Sequence, residues 1–204
     1  MEDTFITIDH NDRAEIKVKG SRFIAESFLA DTLEAALVKL DSVRKREFQA
    51  THHCYAYVLG MTLAPQFKYS DDGEPSGTAG RPIYDLIVGR SLTNLLVVVT
   101  RYFGGTKLGA GGLVHAYSDA ARAVLERSGT RTNYVTCRFR CVLDFALYDS
   151  WQRELHRLEA TVADARFAER VTMLVDIRQS RARRLASAFA EVTSGKGQLE
   201  EIKA

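Results

Sequence analysis

The segments YSDDGEPSGTAG (Tyr69–Gly80) and VVVTRYFGGTKLGAGGL (Val97–Leu113) bracket a single apolar stretch, RPIYDLIVGR, Arg81–Arg90. One flanking loop is acidic and the other is basic. Eight of the fourteen glycines lie in these two segments, at Gly73, Gly77, Gly80, Gly104, Gly105, Gly109, Gly111 and Gly112. Glycine loses more backbone freedom on folding than any other residue. Its concentration in two loops points to backbone N–H groups used as ligands, or to close approach to the main chain. The continuous apolar run from Asn94 to Thr100 reads as a central strand. Pro82 suits the first turn of a helix that runs to Arg90. From Gly111, the apolar positions Leu113, Tyr117, Ala120, Ala121, Val124 and Leu125 give a second helix, with Gly129 as its C-terminal cap.

The rest of the chain builds outward from this unit. Residues 1–13 are polar and read as a loose lead-in. Ala14–Val18 and Phe23–Leu29 are expected strands joined by a turn at Lys19-Gly20-Ser21. Asp31 and Glu34 have the spacing of a capping box for an amphipathic helix over 32–46. Its last turn carries Arg44, Lys45 and Arg46, which suit the negative end of the helix dipole and read as a solvated face. His52–Leu59 is a strand, with Phe67–Tyr69 as a candidate partner.

At 130–133 the pattern becomes polar and aperiodic, and the chain is divided there into domains 1–130 and 131–204. Beyond it, Val135, Cys137, Phe139, Cys141 and Leu143 alternate with polar residues, as on a one-sided strand. A helix carrying Trp151, Leu155 and Leu158, capped by Asp149, follows. Two strands at 161–167 and 171–177 come next, then a helix with Ala182, Leu185, Phe189 and Val192 inward and Ser180 as its cap. A short strand in Leu199–Lys203 completes a ferredoxin-like split βαβ order. The fold class is α+β in two domains, an N-terminal β-α sandwich and a C-terminal ferredoxin-like unit, each expected to fold separately.

Composition narrows the function classes. The 204 residues are 46% hydrophobic and 26% charged, ordinary for a globular protein, with no membrane-length apolar run and no signal-peptide pattern. Three cysteines, Cys54, Cys137 and Cys141, show no metal-site spacing and read as reduced thiols of a cytoplasmic protein. Net charge is +2. Residues 1–130 hold 15 basic and 16 acidic side chains, 15 − 16 = −1; residues 131–204 hold 13 and 10, 13 − 10 = +3. Any nucleic-acid contact is therefore local rather than driven by a whole-protein field.

The basic loop is the leading functional candidate. It follows a buried strand and feeds a helix N-terminus, where free N–H groups and the positive dipole end favour an anion. Arg101 and Lys107 are read as its charges, and Gly104, Gly105, Gly109, Gly111 and Gly112 as the positions that let a phosphate approach. The alternative is a purely structural glycine turn. The loop lacks the Gly-Lys-Ser/Thr ending of a Walker motif and is not a dinucleotide fingerprint. A second nucleic-acid contact is read at Arg138 and Arg140, on the strand face opposite Cys137, Phe139 and Cys141, where Tyr134 alone supplies an aromatic of the right parity. Interdomain packing or solvent is the competing reading of that face.

His52, Asp71, Asp72 and Glu74 form a polar cluster with two readings. They either hold the acidic loop by bonding its backbone N–H groups, or serve a metal-assisted hydrolase. Cys54 with His52 or His53 is a further, weaker nucleophile–base pair. No cofactor is expected, no metal site is assigned, and no residue is assigned a catalytic role.

At SDDGEPSGTAG (Ser70–Gly80), TRYFGGTKLGAGGL (Thr100–Leu113), GSRF (Gly20–Phe23) and ATHHCYAYVLG (Ala50–Gly60) the chain resembles the IMPACT family in its bacterial YigZ-like branch. The family pattern has asparagine where this chain has His53. The resemblance covers the whole chain. It implies a first domain like the second domain of a small-subunit ribosomal protein and the fourth domain of elongation factor G. For the second domain it implies the ferredoxin-like fifth domain of that factor. Both relatives work against ribosomal RNA, and the eukaryotic family member regulates translation through a protein partner. The resemblance brings no catalytic residues. The expectation is a non-catalytic RNA- or ribosome-associated protein that regulates translation, with a protein partner in translation control as a further possibility and no membrane association.

Overall fold

The computed structural model describes residues 3–60 and 65–202. The chain forms two compact units, residues 5–133 and residues 134–204, with the segment before Phe5 belonging to the second. Expected positions 1–2 and Lys203 lie outside the described residues.

The first unit contains β1 (Thr4–Ile8), β2 (Asp12–Val18), β3 (Ser21–Leu29), α1 (Leu33–Arg46), β4 (His52–Leu59), β5 (Gln66–Ser70), α2 (Gly80–Gly89), β6 (Leu95–Tyr102), α3 (Gly109–Arg127) and β7 (Thr130–Tyr134). Five strands form a sheet in the order β2-β3-β6-β4-β5, every neighbouring pair antiparallel. β6 is central, and its apolar run is continuous because both faces are covered. Leu95, Val97 and Val99 pack with Ile83 and Ile87 of α2 and Tyr117, Ala121 and Val124 of α3. Leu96 and Val98 pack on the opposite face with Ala36, Leu40 and Val43 of α1.

The second unit contains β8 (Thr136–Leu143), α4 (Tyr148–Arg157), β9 (Thr161–Phe167), β10 (Val171–Arg178), α5 (Ala182–Thr193) and β11 (Gln198–Ile202). Its sheet runs β11-β8-β10-β9. β8 and β9, joined through α4, are separated by β10, which runs antiparallel to both, so this is a split βαβ arrangement. Phe139, Cys141, Met173 and Val175 meet Trp151, Leu155, Leu185 and Phe189 of the two helices in one core.

Local details differ from the sequence reading where a neighbour offered a better partner. The lead-in contains β1, which pairs with β7, so the polar bridge at 130–133 is itself a strand and the compact first unit extends to Asn133. The cap of α1 is Thr32, whose hydroxyl accepts from the Ala35 amide, rather than Asp31. Asp149 lies inside the first turn of α4, where its charge still suits the dipole. Ser180 lies in a short 3-10 turn before α5 and bonds the Asp3 carboxylate instead of capping the helix. No helix among the described residues is long and apolar enough to cross a membrane.

Candidate functional site

The pairing register brings four loops to one end of the first unit's sheet. β3 starts at Ser21, β4 starts at His52, β5 ends at Ser70 and β6 ends at Tyr102, with Arg22 opposite Tyr102, His52 opposite Arg101 and Tyr55 opposite Ser70. The glycine-rich loops meet there because antiparallel order alternates strand ends.

The acidic loop is held by its own carboxylates. Asp71 accepts from the Ala79 and Gly80 amides at 3.0 and 2.8 Å, and from the Gly77 amide at 2.9 Å. It thus satisfies donors at the α2 N-terminus, where Ala79 supplies no side-chain cap. Asp72 accepts from the His53 amide at 2.7 Å and from Arg44 at 3.3 Å. Glu74 turns inward to accept from Arg101 Nη1 at 2.6 Å and from the Tyr117 hydroxyl at 2.8 Å. Gly80 has no room for a side chain, since a Cβ there would meet the Ser70 backbone at 2.6 Å.

The histidines beside this loop have commitments of their own. His52 Nδ1 lies 2.8 Å from the Asp72 carbonyl, which can only accept, so that nitrogen carries the proton. His52 Nε2 stands 3.9 Å from Glu74, beyond a hydrogen bond, while Asp71 faces the α2 backbone. Among the described residues no three His, Cys, Asp or Glu side chains converge on a cation position. Cys54 is fully buried, 3.0 Å from the Asp71 carbonyl and 3.3 Å from the Tyr117 hydroxyl. Burial pushes its thiol above the ordinary range, with the hydrogen bond to Tyr117 opposing only in part. Neither His52 nor His53 hydrogen-bonds to this buried thiol, so the structure does not bring the Cys54 nucleophile–base pair together. His53 is buried; its Nε2 donates to the Glu47 carbonyl at 3.2 Å. It serves packing between α1 and β4.

The basic loop divides into a structural half and an open half. Arg101 is not a free cation of the loop. It is 5% exposed on β6, neutralised by Glu74, and lies 5.5 Å from the Phe23 ring centroid. Gly104 is also structural, since a Cβ there would stand 1.9 Å from the Gly20 backbone. That close approach locks the 19–21 turn against the loop, and Ser21 Oγ accepts from the Gly104 amide at 3.2 Å. The remaining positions differ. Gly105 and Gly109 take φ of 85° and 74°, a region L side chains rarely adopt, with open space beyond. Gly111 has neither reason to be glycine: its φ is not positive, and nothing lies within 4 Å of a Cβ. Gly112 would meet only the Leu108 side chain, at 3.2 Å.

The start of α3 is exposed at Gly109, Ala110 and Gly111, and Leu108 caps it with no side-chain hydrogen bond. Beside it lies a cleft of 340 Å³ lined by Glu74, Pro75, Arg101, Phe103, Lys107 and the first turn of α3. Arg101 Nε, in this wall, is buried without a hydrogen-bond partner. Sequence reasoning passed over Phe103, although an aromatic directly before Gly104-Gly105 in a basic loop was the available signal. It also passed over Ser21 and Tyr117, which strand register and the packing of α3 on the sheet bring to the cluster.

In the second unit Arg138 and Arg140 do share the sheet face opposite the core, but acids accompany them. Asp176 accepts from Arg138 through both oxygens at 2.6 and 2.7 Å, and Glu200 lies 3.8 Å from Arg140. Cross-strand pairing of β8 with β10 and β11 puts these charges opposite one another. Tyr134 lies on β7 rather than on this sheet, and the Arg178 guanidinium covers its ring at 3.4 Å. This face is therefore charge-balanced rather than uniformly basic.

The architecture is a two-domain α+β protein whose glycine loops gather at one end of the first sheet. The Impact N-terminal domain matches residues 19–125, which span the whole site from Lys19 to α3, and a domain of unknown function, DUF1949, matches residues 141–196. The chain belongs to the IMPACT family. It is 31% identical to the family member YvyE of Bacillus subtilis over 98% of this chain and 92% of that protein. It is 30% identical to the family member YigZ of Escherichia coli over 92% of each. A crystal structure described as that of a hypothetical protein superposes with a TM-score of 0.74 at 27% identity, covering 100% of this chain and 99% of that one.

Proposed function

We propose that the chain is a non-catalytic, cytoplasmic protein that associates with RNA or the ribosome, regulates translation and binds phosphate groups at the N-terminus of α3. The carrying observation is Gly111. Glycine within a helix costs about 1 kcal/mol relative to alanine, and here neither backbone conformation nor a neighbour requires it. What a bare first turn offers is close approach by an outside group to free N–H donors. Three further features support an anion as that group: the missing side-chain cap on α3, the exposed Lys107, and the unpartnered Arg101 Nε in the cleft wall. Gly105 and Gly109 shape the turn, and a Cβ at Gly112 would crowd Leu108 at 3.2 Å. The membership in the IMPACT family supports translation as the setting.

The hydrolase alternative has less support, since His52, Asp71, Asp72 and Glu74 are each engaged in holding the loops. Co-sedimentation of the tagged protein with ribosomes tests the proposal. It is expected at low salt, weakened at high salt, and reduced at every salt by Lys107→Glu. Association indifferent to both salt and Lys107 would remove the phosphate reading.

A further inference from the structure

We infer that Phe103 is a base-stacking platform, and that the cleft beside it takes one nucleotide of a single-stranded RNA with its phosphate on the α3 N-terminus. This inference rests on the phosphate reading and adds the class of nucleic acid and the residue that selects it. Phe103 is 50% exposed at the lip of the cleft, with the Arg101 guanidinium 5.5 Å from its ring centroid. An exposed ring on a loop is ordinarily free to move, but the main chain that carries this one is anchored on both sides. Its own amide donates to Thr51 Oγ1 at 3.2 Å, and the next residue, Gly104, is wedged against Gly20 and bonded to Ser21. A ring carried on fixed backbone, with a guanidinium 5.5 Å from its centroid, is prearranged for stacking.

The cleft completes the recognition. Pro75, Leu108 and Leu113 give it apolar walls, the Arg101–Glu74 ion pair closes its back, and Lys107 and the first turn of α3 give it positive potential. Its 340 Å³ lies at the small end of ligand-site volumes, the size of one nucleotide rather than a longer segment. A base in a duplex has both faces stacked and cannot reach such a ring, whereas a single strand presents its π-face without unpairing. Single-strand preference is therefore the distinguishing property.

Fluorescence anisotropy with a labelled 12-nucleotide single strand, and with its blunt duplex, tests this in the full-length protein. The wild type is expected to bind the single strand more tightly than the duplex. Phe103→Ala and Phe103→Leu are expected to weaken single-strand binding about five- to thirty-fold, without changing the salt slope, because no charge is removed. Phe103→Leu keeps apolar bulk, so equal melting temperatures exclude a folding defect. Phe103→Trp is expected to retain binding and to report it by quenching of the new, exposed indole. Wild-type affinity in both Phe103→Ala and Phe103→Leu, with Lys107→Glu still lowering the salt slope, would overturn stacking and leave the phosphate reading standing. Equal binding of strand and duplex would overturn it too. If the wild type binds no RNA, or Lys107→Glu changes nothing, both readings fall together.

Discussion

Glu74 Oε1 lies 2.6 Å from Arg101 Nη1, and both residues are buried. This one contact joins the acidic loop to the end of the central strand. The second donor to the same oxygen is the Tyr117 hydroxyl of α3. Loop, strand and helix are thus fastened at one atom, in the wall of the cleft. Removing the carboxylate leaves a buried guanidinium without its counter-charge, a loss of about 3–5 kcal/mol. Glu74→Ala is expected to lower the urea midpoint accordingly, and Glu74→Gln to lose less because it still accepts hydrogen bonds. An unchanged midpoint in Glu74→Ala would show that the pair does not hold the loops.

Gly111 separates the needs of folding from those of binding. Alanine fits its backbone and meets no neighbour, so Gly111→Ala is expected to stabilise the protein by about 0.5–1 kcal/mol in urea denaturation. RNA association should weaken in the same variant. Higher stability with full binding would mean the bare turn serves no ligand.

The thiols give a pH dependence of defined sign. Burial pushes Cys141 up to about 12, and burial also raises Cys54. A raised folded-state value means that the unfolded chain releases these protons first. Their contribution is complete below about pH 9, the ordinary thiol value, and is lost as pH rises toward the folded value. Urea midpoints measured from pH 8 to 10.5 should therefore fall, and Cys141→Ala should fall less steeply. In the native protein at pH 8, a thiol reagent should leave Cys54 and Cys141 untouched until unfolding.

Asp71 is a helix cap in this fold. Asp71→Ala is expected to cost about 1–2 kcal/mol through the lost bonds to the α2 N-terminus. Elemental analysis of the purified protein should find no stoichiometric metal for Asp71 or Asp72 to bind. One zinc or manganese per chain, lost in Asp72→Asn, would return the cluster to catalysis.

Periodicity made much of this architecture legible. The apolar run of β6 marked a strand covered on both faces, and the alternation from Val135 to Leu143 marked a sheet covered on one. The caps were less legible, because Asp31 and its neighbour Thr32 both offer a side-chain oxygen and only backbone geometry chooses between them. The site was half legible. Glycine density located the loops, but sequence spacing cannot report that Gly104 is used up against Gly20, or that Arg101 faces Glu74. Those facts arise from strand register, which brings residues 27 and 84 positions apart together. The same register places Asp176 opposite Arg138 and cancels a charge that looked free on the strand alone.

The most direct test of the central claim is a ¹H–¹⁵N NMR titration of the full-length protein with a short single-stranded RNA. Glycine amides resonate apart from most others, so Gly109, Gly111 and Gly112 can be followed individually. The account predicts that the largest shift changes fall on Leu108–Gly112, diminish with added salt, and are largely lost in Lys107→Glu. Saturating RNA that leaves these amides unmoved, with the changes gathered elsewhere in the chain, would contradict it.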